Sequence, residues 1–203
     1  MIVAFASGKG GTGKTTLTLS LAKALEQQVL VLDCDVEEPN AHLFMEGQVE
    51  QQQVVEIPVP EVDDSLCDAC GKCARACAFN AIVSLQTKPL VFPELCHGCG
   101  GCMLACPKHA ISEVGYRIGE VDSRTSGAIR LVQGKLDIGA AMAPPVIRAV
   151  MARSQGSDLV LIDAPPGTSC SLVASIRKAD VVVLVTEPTP FGLNDLQLAV
   201  GVV

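Results

Sequence analysis

Four short apolar runs punctuate the chain: IVAFA at 2–6, VLVLD at 29–33, LVLID at 159–163 and VVVLV at 181–185. Runs rich in Val, Ile and Leu, without polar alternation, fit strands covered on both faces, as in a parallel sheet. Residues 14–26 and 168–178 instead carry apolar side chains at helical spacing. Strands alternating with helices predict βαβ units, and so an α/β fold with a doubly wound, mainly parallel sheet. After Pro39 the pattern degrades through Gln51 to Gln53, and VVEIPVP leads to an acidic link, Glu61 to Asp64. From 113 onward, apolar and glycine-bearing segments lead back to the sheet.

Between these halves lies an internal repeat. CDACGKCARACAFNAIV (67–83) aligns with CHGCGGCMLACPKHAIS (96–112) at a period of 29, matching four Cys, one Gly, two Ala and one Ile. A duplicated half-motif predicts a small unit with approximate two-fold symmetry. The expected organisation is therefore an α/β domain made of 1–60 and 113–203, interrupted by a small α+β cysteine domain at 61–112.

Composition sharpens this picture. The chain has 203 residues, a net charge of -7 and 10 cysteines, eight of them between Cys67 and Cys106. A secreted disulfide scaffold would spread its cysteines through a short chain behind a signal peptide. The opening MIVAFASGKGG has no basic region and an apolar run of only six residues, so it does not read as such a signal. No uncharged apolar stretch is long enough to predict a transmembrane span. The acidic balance argues against nonspecific nucleic-acid binding, which depends on Lys and Arg neutralising phosphates. The insert carries five acids and four bases, so it is not itself a strongly acidic surface. The expectation is a cytoplasmic protein whose cysteines hold metal.

Residues 8–15 read G-K-G-G-T-G-K-T and lie between an apolar strand and a helix, the setting of a phosphate-binding loop. Glycines let successive backbone N–H groups turn inward toward phosphate oxygens, reinforced by the positive end of the helix dipole. The expected nucleotide contacts are Gly8, Lys9, Gly10, Gly11, Thr12, Gly13, Lys14, Thr15 and Thr16, joined by Gly167 from the DAPPG turn. Lys14 would reach the β- and γ-phosphates, and the Thr15 hydroxyl would ligate Mg²⁺. Asp33 and Asp35 stand at the C-terminal end of a strand, where open α/β sheets bind ligands, and Asp163 ends another.

KGGTGKT resembles the deviant Walker A sequence of the ParA, MinD, Mrp and nitrogenase-iron-protein group of ATPases. In that group the extra lysine reaches the partner's phosphates across an ATP-sandwiched dimer. The resemblance assigns Lys9 that role, makes Asp35 the residue that orients the attacking water, and places Asp33 and Asp163 about the Mg²⁺. It implies a Mg-dependent ATPase that forms an ATP-dependent homodimer.

Each cysteine run is C-x2-C-x2-C-x3-C, the spacing of a two-cluster bacterial ferredoxin, in which the fourth Cys of each run ligates the other cluster. That rule predicts Cys67, Cys70, Cys73 and Cys106 on one 4Fe–4S cluster, and Cys96, Cys99, Cys102 and Cys77 on a second. Gly71, Gly98 and Gly100 keep the ligand loops tight; Pro107 follows the last cysteine, where the first repeat has Ala78. Zinc is the rival metal, since C-x2-C pairs also build zinc ribbons. Cys34 and Cys170 lie outside the repeat and read as small buried residues near the nucleotide switches. His97 and His109 read as exposed loop histidines, and Phe79 and Phe92 as core.

The order P-loop, DCD, double ferredoxin, DAPPG resembles MinD-superfamily ATPases with an inserted ferredoxin domain. Such proteins continue through further strands and helices, so LQLAVGVV reads as a stop inside a helix, ahead of residues that contact adenine. The resemblance implies nucleotide-driven dimer switching that gates electron transfer to a redox partner. A cluster carrier like the Mrp relatives and a positioning ATPase with a structural ferredoxin are the alternatives.

Overall fold

The four apolar runs are strands of one sheet in the computed structural model, which describes residues 1–85 and 87–203. In chain order the elements are β1 (Ile2–Ala6), α1 (Lys14–Ala24), β2 (Val29–Asp33), β3 (Gln51–Val62), α2 (Lys72–Ala76), β4 (Ile82–Ser84), β5 (Pro89–Val91) and α3 (Gly101–Ala105). They continue with β6 (Ile111–Ser126), β7 (Ile129–Leu136), α4 (Pro144–Met151), β8 (Val160–Asp163), α5 (Cys170–Ile176), β9 (Val181–Leu184) and α6 (Pro190–Val200). Two compact units result: Met1–Val55 with Gly119–Leu136 and Ala143–Val203, and Glu56–Ile118 with Asp137–Met142.

The seven-stranded sheet runs β3-β6-β7-β2-β8-β1-β9. The pairs β7–β2, β2–β8, β8–β1 and β1–β9 are parallel, whereas β6 and β7 pair antiparallel. In the first unit, odd positions of β2, β7 and β8 (Val31, Leu131, Leu161) face α1 and bury its Leu19 and Ala22. The opposite face takes α4 and α5, whose Val146, Ile147, Val150 and Leu172 are fully buried. Each such aliphatic side chain contributes about 1.5–3 kcal/mol by leaving water. Gly134 of β7 is where α4 comes closest: a Cβ there would lie 2.7 Å from Val36 and 2.8 Å from Val150.

The second unit shows the 29-residue repeat in its backbone. Helices α2 and α3 are equivalent five-residue turns, each opened by a left-handed glycine, Gly71 or Gly100. The Asp63 N–H donates to the Ala110 carbonyl at 2.8 Å, and its repeat-mate Phe92 donates to Ala81 at 2.8 Å. Left-handed residues also recur in pairs, Ala69 with Gly98 and Asn80 with His109. A small core of Cys73, Ile82 and Ile111 is completed by Val62, Val91 and Cys102. Phe79 and Phe92 are not its centre: Phe79 is exposed and Phe92 only half-buried.

Candidate functional site

In the first unit the loop between β1 and α1 is an open cradle. Gly11 and Gly13 take positive φ (78° and 90°), and a Cβ added at Gly10, Gly11 or Gly13 would meet nothing. Gly8 differs, since a side chain there would collide with Asp195. The loop ends at the N-terminus of α1, which has no side-chain cap and no acid in its first turn, so its N–H groups and dipole are free for an anion. The Thr12 hydroxyl is buried without a partner.

Lys14 is buried, and its Nζ donates to Ser7 Oγ at 2.9 Å. Burial lowers its pKa, while Asp163 and Asp35 oppose that shift. Lys9 turns the other way, its Nζ 2.8 Å from Glu187 Oε2. Thr15 Oγ1 donates to Asp163 Oδ2 at 2.5 Å, whereas Asp163 Oδ1 is buried with no partner.

Sheet register brings the acids together: Asp33 of β2 is the direct neighbour of Asp163 on β8. Asp33 is fully buried and accepts N–H bonds from Asp35, Asn40 and Ala41 at 3.1–3.2 Å. Burial, then the Asp163 charge, pushes its pKa up to about 7 despite those bonds. Burial likewise raises Asp163 to about 6, against the pull of Thr15 and Lys14. Asp35 is also raised by burial, and lines a cavity of about 150 Å³ with Cys34, Pro165 and Ser169. Gly167 is left-handed at φ 89°, and its N–H donates to the Ser7 carbonyl at 3.0 Å, tying the DAPPG turn to the loop. An orphaned buried carboxylate oxygen, a neighbouring hydroxyl and two carboxyls raised by burial form a donor set that fits a hard divalent cation such as Mg²⁺.

In the second unit two cavities collect the cysteines of the repeat. One is lined by Cys67, Cys70, Cys73 and Cys106. The other is lined by Cys77, Cys96, Cys99 and Cys102. Each set takes three cysteines from one repeat and the fourth from the other. Among the described residues, no group of three or more His, Cys, Asp or Glu side chains is placed to hold a metal ion. The Ala110 N–H donates to Cys106 Sγ at 3.3 Å, and the Gly98 N–H to Cys96 Sγ at 3.4 Å. All ten cysteines are free thiols. Four soft donors around a cavity, with N–H groups aimed at sulfur, fit a thiolate-held cluster.

The remaining candidates separate. Cys34 is buried, its Sγ 3.8 Å from Met151 Sδ, and burial raises its pKa well above the usual thiol range. Cys170 is exposed at the start of α5. His109 is exposed, but His97 is half-buried and stacks on Phe79 with ring centroids 3.6 Å apart. Two site residues carry no motif: Ser7, which holds Lys14, and Glu187, which holds Lys9. The SGKGG and TEPTP contexts hold no spacing that pairs them.

A glycine-rich loop between a central parallel strand and a helix, facing carboxylates at neighbouring strand ends, defines a P-loop nucleotide-binding protein. The CobQ/CobB/MinD/ParA nucleotide binding domain model matches residues 3–197, and the chain belongs to that family. An uncharacterized protein of Methanocaldococcus jannaschii is 36% identical over 96% of this chain and 70% of its own length. A second protein of that organism, described as an uncharacterized ATP-binding protein, is 26% identical over 96% of this chain and 56% of its own. Among solved structures, the ATP complex of a Cyanothece McdA variant superposes with a TM-score of 0.51 at 19% identity, covering 99% of this chain and 62% of that one. The likeness at that identity is one of fold. Among the described residues no helix is long and apolar enough to cross a membrane.

Proposed function

We propose that this protein is a Mg-dependent ATPase carrying two 4Fe–4S clusters, in which ATP-driven dimer closure gates electron transfer to a redox partner. The observation that carries the reading is the gathering of the repeat cysteines into two crossed sets of four, in a chain that also holds a complete P-loop. The resemblance to MinD-type ATPases and the ATP-binding description of a relative support ATP as the nucleotide.

On this reading the N–H groups of Gly8 to Thr16 bind the phosphates and Lys14 neutralises the β,γ bridge. Thr15 and Asp163 hold the cation, with Asp33 behind them. Lys9 leaves Glu187 to reach the partner copy's phosphates, acting as a cation supplied in trans. Asp35 accepts a hydrogen bond from the attacking water, and Gly167 lets the DAPPG turn move with the γ-phosphate. When bound, Mg²⁺ would neutralise phosphate charge and the clusters would take up and release single electrons. The residues at 67–73 and 106, and at 77 and 96–102, hold them and keep them partly shielded from water. The intact two-cluster ferredoxin spacing favours this over a cluster carrier, whose cargo must be readily released.

Anaerobic purification with iron and acid-labile sulfide counts, followed by ATPase assays on oxidised and reduced protein, tests the proposal. About eight irons per chain and a hydrolysis rate that changes with redox state are expected. Asp35→Asn should lower hydrolysis by about 10²–10⁴-fold while retaining ATP binding. Loss of iron on anaerobic gel filtration, or a rate indifferent to redox state, would sink the gating.

A further inference from the structure

The 29-residue repeat carries one cysteine cavity onto the other, and the correspondence breaks at several side chains. Asp68 and Lys108 line the first cavity. Their repeat-mates on the second are His97 and Phe79. His97 and Phe79 instead form a parallel stack, centroids 3.6 Å apart and planes within 4°. The third break flanks the ligand loops. A Cβ on Gly71 would lie 2.9 Å from Ser84 Oγ, whereas a Cβ on its mate Gly100 would lie 3.4 Å from Glu113 Oε1. Serine beside one loop is thus glutamate beside the other, and Glu113 lines the second cavity.

Each cavity has four cysteines, and each has one N–H···S bond, to Cys106 in the first and to Cys96 in the second. The difference therefore rests on Asp68, Lys108 and Arg75 about the first cavity, against the aromatic stack and Glu113 at the second.

We propose that this broken symmetry makes the cavities unequal electron sites, the Cys67 cavity being filled first and the Cys77 cavity second. The inference rests on the cluster reading above. An added electron is an added negative charge, stabilised by water and nearby cations, and destabilised by an apolar cover or a carboxylate. At the first cavity Lys108 offsets Asp68, and Arg75, whose Nη1 would lie 3.4 Å from a Cβ on Gly71, adds a cation that the second repeat replaces with Leu104. At the second, the Phe79–His97 stack stands where Lys108 and Asp68 stand at the first, and Glu113 adds repulsion. Each site takes one electron, with no bond made or broken. With dithionite as the donor, its sulfur dioxide radical anion is oxidised to sulfur dioxide, and the filled chain holds two electrons.

The test is a dithionite titration of the anaerobic protein at one fixed pH, followed by electron paramagnetic resonance, with iron and sulfide counted in every sample. Two separate one-electron steps are expected. The exchange Phe79→Lys with His97→Asp should move the harder step toward the easier one. Asp68→His with Lys108→Phe should move the easier step down. Glu113→Ser alone should shift only the harder step, toward easier reduction; Glu113 is exposed and binds no metal on this reading, so this variant tests the proposal even if the exchanges disturb folding. A single step taking both electrons in a fully loaded chain, or steps that stay put in every loaded variant, would overturn the inequality. A chain that binds well under eight irons would instead overturn the cluster reading itself.

Discussion

Lys9 and Glu187, 178 positions apart, form an ion pair with Nζ 2.8 Å from Oε2. The two side chains are 35% and 39% exposed, so the pair is partly screened. Pairs of that kind are worth about 0.2–1 kcal/mol. That is enough to hold Lys9 against its own chain, and weak enough for a neighbouring phosphate to open it.

If Lys9 serves a partner's phosphates, opening this pair precedes dimer closure. Glu187→Gln should then lower the ATP concentration that half-dimerises the protein, by up to about fivefold, the equivalent of 1 kcal/mol. Lys9→Ala should bind ATP yet remain monomeric. Light scattering across an ATP titration reads both. An unchanged midpoint in Glu187→Gln would show that the pair restrains nothing, and a Lys9→Ala dimer would remove the trans role.

Asp33 and Asp163 give the site a pH dependence of defined sign. A carboxyl raised to about 7 in the folded protein binds its proton more tightly there than in the unfolded chain. Its stabilising contribution is full below the ordinary Asp value and is lost as pH climbs toward 7. Asp33→Asn should therefore match wild type only near pH 4 and below, and become the more stable protein progressively up to pH 8, with a gap of a few kcal/mol at most, at about 1.4 kcal/mol per unit. Mg²⁺ should narrow the gap, because it favours the ionised pair of Asp33 and Asp163. Melting temperatures of the nucleotide-free proteins across that range, with and without Mg²⁺, read this. A gap that does not change with pH would mean that Asp33 has the same pKa in the folded protein as in the unfolded chain.

The parallel strands β1, β2, β8 and β9 are legible because each is apolar on both faces: every residue of VLVLD is buried. The P-loop was legible because its chemistry is local. Strands β3, β6 and β7 were not, because their polar positions are paired by tertiary structure. In β6 and β7, for example, Asp122 is buried by accepting from Gln133 Nε2 at 2.9 Å and from Arg124. No pattern within ISEVGYRIGEVDSRTS announces that partnership. The same holds for Phe79 and His97, read as core and as exposed loop until the repeat brings them face to face. Glu187 escaped for a different reason: it meets Lys9 only when the loop after β9 returns beside the loop after β1, strands adjacent in the sheet.

Ala69 and Gly98 occupy the same place in the two repeats, and both are left-handed, with φ of 54° and 62°. An L-residue with a Cβ strains there by roughly 1–2 kcal/mol, which glycine avoids. Glycine in turn loses more chain entropy on folding, about 0.4–1 kcal/mol, so the effects partly cancel. Ala69→Gly should therefore stabilise the cysteine unit by about 0.5–1 kcal/mol, the difference between those two terms. Gly98→Ala should do worse than reverse this. Its Cβ would also sit 3.2 Å from the Pro58 carbonyl, on the loop whose N–H reaches Cys96 Sγ. Denaturant unfolding of the anaerobic protein, followed through its thiolate-to-metal absorbance, compares the two variants with wild type. If both changes shift the midpoint in the same direction, backbone strain is not what distinguishes the two ligand loops.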